Sequence, residues 1–221
     1  MLDGLISAIA PHLCCSCGEI GAVLCDNCKY DISLEYFGGC LACGAPAAPK
    51  GVCKTCITPY SRAWCVGERS GVLRALIDDY KFYNSYASHR ELASLLAGCI
   101  GVLPSECIVV PVPTVSSHIR QRGYDHTWLV AKRLAKLQGV SAKSLLRRRT
   151  STAQRGQGRK QRTLQAKEAF ECRHALSPDT TYLLIDDVVT TGSTIHYAAK
   201  ALKDAGAQSV WVAAIARQPL D

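Results

Sequence analysis

Residues 183–194 read Leu-Leu-Ile-Asp-Asp-Val-Val-Thr-Thr-Gly-Ser-Thr, an apolar run that ends in two acids and passes into a small, hydroxyl-rich turn. That order of chemistry suits a sugar phosphate. Residues 182–185 read as a buried strand. Residues 193–205 read as a helix, with Ile195, Ala198, Ala199 and Leu202 at helical spacing and Gly206 just past the end. The turn then joins a strand to a helix N-terminus, where free backbone N–H groups and the positive end of the helix dipole face an anion. Thr190, Thr191, Ser193 and Thr194 add hydroxyl donors, and Gly192 lets the backbone approach closely. Asp186 and Asp187 would repel a bare phosphate, but as acceptors at a strand end they suit the two hydroxyls of a ribose, or a metal held by them. An ordinary strand-turn-helix with a capping residue would account for Thr191 or Ser193. It gives no reason for adjacent acids at the end of a buried strand.

The uninterrupted segment resembles the fingerprint of the type I phosphoribosyltransferases, which bind 5-phosphoribosyl-1-pyrophosphate (PRPP). The resemblance implies that the 5′-phosphate rests on Thr190, Thr191, Gly192, Ser193 and Thr194, and the ribose 2′ and 3′ hydroxyls on Asp186 and Asp187.

A second constellation precedes it. The chain has 13 cysteines, and eight of them form four consecutive Cys-x-x-Cys knuckles: Cys14 and Cys17, Cys25 and Cys28, Cys40 and Cys43, Cys53 and Cys56. Each knuckle can place two thiolates on one tetrahedral ion, so eight complete two closed, structural zinc sites. Local pairing gives Cys14/17/25/28 and Cys40/43/53/56, two successive zinc ribbons. A crossed pairing, first with third and second with fourth, has similar loop costs, and Cys15 could replace Cys14. A redox cluster is the competing chemistry. Few long apolar side chains lie in residues 1–57, so metal ligation is expected to supply much of that segment's folding free energy. Cys15, Cys65, Cys99, Cys107 and Cys172 are scattered and read mostly as small buried apolar residues.

These groups need a frame to hold them. At 221 residues and 48% apolar composition, the chain can bury one substantial core. It has no uninterrupted apolar run of about 18 residues, so no membrane insertion is expected. Residues 1–13 carry Leu2, Leu5, Ile6 and Ile9 at helical spacing without a basic start or cleavage site, a poor secretion signal, so the expected location is cytoplasmic. Farther on, helices are expected at 72–77, 90–103 and 127–138, and strands at 108–112, near 144–146 and at 209–216. Alternation of this kind makes an α/β fold with a mostly parallel sheet, whose ligands sit beyond the carboxyl ends of the strands. Pro111-Val112-Pro113-Thr114 leaves strand 108–112 at the same edge, stiffened by its two prolines.

Charge is concentrated between His118 and Arg162, where 13 lysines and arginines face a single acid, Asp125. Lys132, Arg133 and Lys136 read as a solvated helix face. The stretch Arg147, Arg148, Arg149, Arg155, Arg159, Lys160 and Arg162 lacks periodic apolar residues and contains two glycines, and is expected to be a mobile basic loop over 147–165. Pyrophosphate or a nucleic-acid backbone would satisfy it. Aromatic residues are absent from the loop, with only Tyr124 and Trp128 upstream, so base stacking has weak sequence support.

Taken together, the cysteine knuckles, Asp-Tyr-Lys-Phe at 79–82, Val-Pro-Val-Pro at 110–113, Arg-Gln-Arg-Gly-Tyr at 120–124, Gln154 and Arg162 in the basic loop, Ala169-Phe170 and the 183–194 fingerprint resemble the ComF/GntX family. The resemblance implies a zinc-binding segment over residues 1–60 and, over 61–221, a type I phosphoribosyltransferase-like parallel sheet with helices on both faces. It also implies cytoplasmic handling of incoming single-stranded DNA in natural transformation or in the use of DNA as a nutrient. Val112, Pro113 and Thr114 would form the pyrophosphate loop, with Arg120, Arg122 and Lys81 as candidate catalytic cations and Mg²⁺ accompanying PRPP. Tyr124-Asp125-His126 stands where the family has Phe-Asn-Gln, and Gln165 where it has Asn. The other functions to weigh are nucleobase salvage by phosphoribosyl transfer, and a non-catalytic zinc-organised adaptor for a DNA-uptake helicase.

Overall fold

Leu183, Leu184 and Ile185, each at most 1% exposed, lie at the centre of the molecule. The computed structural model describes residues 11–35, 37–47, 51–83, 85–149 and 169–219. The apolar run belongs to β6 (Thr181–Val189), which lies between β2 (Cys107–Pro111) and β7 (Ser209–Arg217). With β1 (Arg62–Glu68) beyond β7 and the two-residue β3 (Ser141–Ala142) beyond β2, five strands run parallel in the order β1-β7-β6-β2-β3. A strand covered on both faces needs apolar residues at successive positions rather than alternate ones. Each such side chain contributes roughly 1.5–3 kcal/mol by leaving water.

Helices cover both faces. Leu183 and Ile185 share a buried cluster with Leu73, Leu76, Leu96 and Leu134, from α2 (Gly71–Phe82), α3 (Ser88–Ile100) and α5 (His126–Gln138). Tyr182 and Leu184 cluster instead with Ile195, Ala198 and Leu202 of α6 (Ser193–Asp204). Among the described residues, two short helices complete the set, α1 (Asp26–Leu34) among the cysteines and α4 (Ser116–Arg122) after β2.

Three local expectations are corrected. The strand expected near 144–146 is two pieces: β3 at the sheet edge, and β4 (Leu146–Arg148), which pairs antiparallel with β5 (Phe170–Cys172) outside the main sheet. Arg147 and Arg148 therefore begin the basic segment in a strand, not a loop. Finally, β6 runs four residues past the expected end, carrying Asp186 and Asp187 inside the strand, because β7 continues pairing as far as Val189 with Arg217. β1 was not anticipated; its Arg-Ala-Trp-Cys-Val-Gly-Glu sequence is too mixed to read as a strand until something covers its edge.

The cysteine-rich segment supplies that cover. Val23, Leu24 and Ile32 pack in the cluster of α2 and α3, whereas Leu41 joins the cluster on the α6 face. The segment thus reaches both faces around the β1 edge, where a Cβ on Gly67 would lie 3.2 Å from the Glu35 carbonyl. Among the described residues, no helix is long and apolar enough to cross a membrane.

Candidate functional site

The carboxyl ends of β2 and β6 open into a cavity of about 540 Å³ lined by Lys81, Val112, Pro113, Thr114, His118, Arg122, His126, Arg148, Asp186, Asp187 and Thr194, among others. Asp187 is the most connected group in it. Lys81 Nζ lies 2.7 Å from Oδ2, His126 Nε2 bonds the same oxygen, and the Val188 N–H donates to Oδ1 at 2.5 Å. Behind His126, Arg122 Nη1 donates to Nδ1 at 3.0 Å. A guanidinium has no acceptor, so Nδ1 carries the lone pair and the ring proton is on Nε2, facing Asp187. His126 is therefore a spacer that fixes Arg122 and Asp187 relative to each other.

The two carboxyls are driven apart. Burial pushes Asp187 upward, but the His126 bond and the Lys81 charge outweigh it and hold the group below the usual carboxylate range. Asp186 accepts only the Asp187 N–H, at 2.9 Å, and the charges of Lys81 and Arg148 do not outweigh its burial. Burial, reinforced by the charge of Asp187, raises it to about 8. At neutral pH the cavity presents the cations Lys81, Arg122 and Arg148 against one full carboxylate charge, an environment for a polyanion that also carries hydroxyls.

The fold explains which expected residues meet. In α4, His118, Gln121 and Arg122 line the cavity, as the i, i+3, i+4 geometry of one helix face requires. Arg120 falls on the other side and is exposed. Lys81 arrives from the last turn of α2. Pro111 is accommodated because the Val112 N–H donates to Ile185 O at 2.9 Å, so residue 111 faces the opposite edge, where β3 has already ended. Thr114 donates to Asp125 Oδ1 at 2.9 Å, and the same oxygen accepts the Trp128 N–H at 3.1 Å, capping α5. The loop after β2 is thereby tied to the helix that starts at His126.

His126 is a cavity residue to which the sequence alone assigns no role. Asp125 before an amphipathic helix was a readable cap, and it places the next residue at the sheet end. Tyr80 and Tyr124 brace this corner: the Tyr80 hydroxyl donates to His126 O at 2.9 Å and the Tyr124 hydroxyl to Tyr80 O at 2.7 Å.

In the turn, Gly192 adopts φ 73° and precedes α6 with no side-chain capping bond of its own, and the Ser193 N–H has only a long contact, 3.5 Å, to the Thr191 hydroxyl. Thr190, Thr191 and Ser193 are exposed at the rim, with the Thr191 and Ser193 hydroxyls 3.0 Å apart, and Thr194 lines the cavity. The alternation of β4 divides the arginines. Arg147 and Arg149 pair with Glu171 on the outside; Arg148 turns to the cavity beside Asp186. Arg155, Arg159, Lys160 and Arg162 lie outside the described residues.

Both cysteine clusters are local: Cys14/17/25/28 and Cys40/43/53/56 each bring four Sγ atoms within 4.8 Å of one another. Cys17 and Cys25 Sγ are 3.6 Å apart, and Cys43 and Cys53 Sγ 3.7 Å. A tetrahedron with Zn–S distances of about 2.3 Å has edges of about 3.8 Å, so each cluster can hold a zinc ion. Backbone N–H groups of Cys25 and Cys56 point at Cys14 and Cys53 Sγ, a contact that favours thiolates. Cys15 stays outside the cluster, its thiol pushed up to about 12 by burial.

Parallel sheet, fingerprint turn and cation-lined cavity define a phosphoribosyltransferase-like domain, here joined to two four-cysteine clusters. The phosphoribosyl transferase domain family matches residues 129–220. The chain is 30% identical over 210 residues to competence protein F of Haemophilus influenzae, covering 88% of this chain and 90% of that protein. It is 26% identical to the DNA utilization protein YhgH of Salmonella typhi, over 88% and 96% of the two chains. To competence protein ComFC of Bacillus subtilis the identity is 22%, over 83% and 79%. Among solved structures, the glutamine phosphoribosylpyrophosphate amidotransferase of B. subtilis superposes with a TM-score of 0.41 at 16% identity, over 57% of this chain and a quarter (25%) of that one. The chain belongs to the ComF family of competence proteins.

Proposed function

We propose that the protein binds PRPP with Mg²⁺ in the cavity at the ends of β2 and β6, and that it acts in the cytoplasm on single-stranded DNA entering during natural transformation. The observation that carries the first part is the cavity's charge pattern. Three cations converge on a space that also offers carboxylate acceptors and an uncapped helix start. In this reading the pyrophosphate faces Lys81, Arg122 and the loop of Val112, Pro113 and Thr114, and the 5′-phosphate rests on Thr190, Thr191, Gly192, Ser193 and Thr194.

The ribose hydroxyls go to Asp186 and Asp187. Three of the roughly four lone-pair sites of Asp187 are taken by Lys81, His126 and the Val188 N–H, leaving about one for a hydroxyl. Such a donor set fits a magnesium ion that arrives on the ligand, because Mg²⁺ completes its shell with phosphate oxygens and water. Bound there, the ion would neutralise charge on the pyrophosphate; Lys81 and Arg122 would hold the same group in place.

Residues 1–60 form the zinc-binding segment and residues 61–221 the ligand-binding domain. The relatives' names support the DNA role. So does Phe82, 62% exposed at the cavity mouth with the Arg122 guanidinium 5.7 Å from its ring centre, a surface on which an unpaired base can stack. The basic segment that begins at Arg147 would track the strand's phosphates.

Calorimetric titration of PRPP and Mg²⁺ into the zinc-loaded protein, beside Asp186→Asn/Asp187→Asn, tests the ligand. Saturable binding lost in the variant is the expected result. No binding to the wild type would leave the fold as a scaffold and favour an adaptor role.

A further inference from the structure

The second cysteine cluster is built into the turn that precedes α6. Leu41, between Cys40 and Cys43, is 1% exposed and shares a buried cluster with Val189 and Ile195, which bracket the turn. Its carbonyl accepts a hydrogen bond from Arg217 Nε at 3.3 Å. Arg217 is itself 3% exposed and stands opposite Val189, the last residue of β6; the next N–H, from Gln218, donates to Val189 O at 2.8 Å. Gly192 closes the contact. A Cβ there would meet Ala42 Cα and Leu41 O, each at 3.3 Å, so the knuckle backbone is the floor beneath the turn. Among the described residues the first cluster has no such relation: its neighbours Val23, Leu24 and Ile32 pack with α2 and α3 on the other face.

A Cys-x-x-Cys knuckle keeps its backbone path only while both thiolates are held at one centre. Release of the metal frees residues 40–43, and with them the surface that supports Gly192. We infer that metal in the Cys40/43/53/56 cluster sets the conformation of residues 190–194, with Leu41, Ala42 and Arg217 as positioning residues, and so links occupancy of this cluster to binding of the 5′-phosphate. The identity of that ligand rests on the reading above. Linkage is reciprocal, so bound ligand should also slow the loss of this metal. The arrangement suits a controllable site: Cys43 is exposed and Cys53 and Cys56 half-buried, whereas three of the four thiols in the first cluster are buried.

Amide hydrogen exchange of the full zinc-loaded chain tests the coupling without needing any ligand. The His196 N–H donates to Gly192 O at 2.9 Å, so its protection reports the turn. Zinc content and exchange are compared for wild type, Cys43→Ser, Cys17→Ser and Leu41→Ala. Loss of one zinc from the second cluster in Cys43→Ser should speed exchange at His196 roughly 5- to 150-fold, the range of ordinary couplings, while loss from the first cluster in Cys17→Ser leaves it unchanged. Leu41→Ala keeps all eight ligands and should retain both metals, yet also speed exchange at His196. If Cys43→Ser fails to fold, chelator removal of the second cluster's zinc from the wild type, read at His196, takes its place, and Leu41→Ala tests the packing contact. Wild-type protection at His196 in Leu41→Ala, or in a folded Cys43→Ser that has lost its zinc, overturns the inference. PRPP affinity is read in parallel and should fall by a similar factor in Cys43→Ser. A wild type that shows the exchange contrast but binds no PRPP would leave the coupling of knuckle to turn standing and remove the ligand reading.

Discussion

Lys81→Met keeps the reach of the side chain and removes the charge that faces Asp187 at 2.7 Å. The two side chains are 15% and 14% exposed. Breaking a buried pair from one side costs about 3–5 kcal/mol, and discounting for residual solvent leaves about 2–4 kcal/mol at pH 7. The dependence on pH is more diagnostic than the size. In the wild type, Asp187 titrates below its ordinary value of 3.8, so it contributes stability above pH 4 that is lost as pH falls through its folded value. Asp186, raised to about 8, does the opposite: the folded state holds a proton that the unfolded chain gives up, and stability declines between about pH 4 and 8. Without Lys81, the His126 bond is left to oppose burial and the neighbouring acid, and Asp187 titrates higher than in the wild type. Where that value exceeds the unfolded one, a second group joins the declining slope, by up to about 1.4 kcal/mol per pH unit. Urea unfolding of the zinc-loaded proteins at pH 5, 6, 7 and 8 measures this, and contributions from other cysteines and histidines cancel in the difference. The gap between wild type and Lys81→Met should widen with pH. A gap that stays constant from pH 5 to 8 would refute the assignment of Lys81 as a group that, beside His126, keeps Asp187 ionised.

Gly192→Ala should destabilise the protein by about 1–2 kcal/mol through its left-handed backbone alone, with a further loss because Ala42 and Leu41 backbone atoms cannot give way; thermal unfolding reads the first effect and PRPP titration the accompanying fall in affinity. Nitrogen NMR of the imidazoles should find His126 Nδ1 unprotonated and Nε2 protonated near pH 7, and the reverse tautomer would contradict the Arg122 contact. Phe82→Ala should weaken single-stranded oligonucleotide binding by about 1–3 kcal/mol and leave its salt dependence unchanged, as measured by fluorescence anisotropy at several salt concentrations. Charge reversal at Arg147 should instead reduce the slope of log affinity against log salt; if both variants change the slope alike, the separate stacking and phosphate roles are wrong.

Much of this protein was legible from local pattern. The 183–194 order of apolar run, acids and hydroxyl turn fixes a strand, an anion-facing turn and a helix, because each depends on neighbours within a few residues. Four Cys-x-x-Cys knuckles make thiol groups that could hold metal legible for the same reason. Long-range packing decided the rest. Pairing with β7 drew Asp186 and Asp187 into the strand, and the helical phase of α4 took Arg122 into the cavity and left Arg120 outside. His126 could not be weighed until the ends of α2, α5 and β6 met around it. Local rather than crossed grouping of the knuckles, and the docking of Leu41 and Ala42 beneath Gly192, likewise depend on where two distant stretches fold. The sequence by itself determined which groups could bind metal, phosphate and hydroxyls. Only the tertiary structure decided which of them share a site, because charge, burial and hydrogen bonding act over a few ångströms of space and are indifferent to separation along the chain.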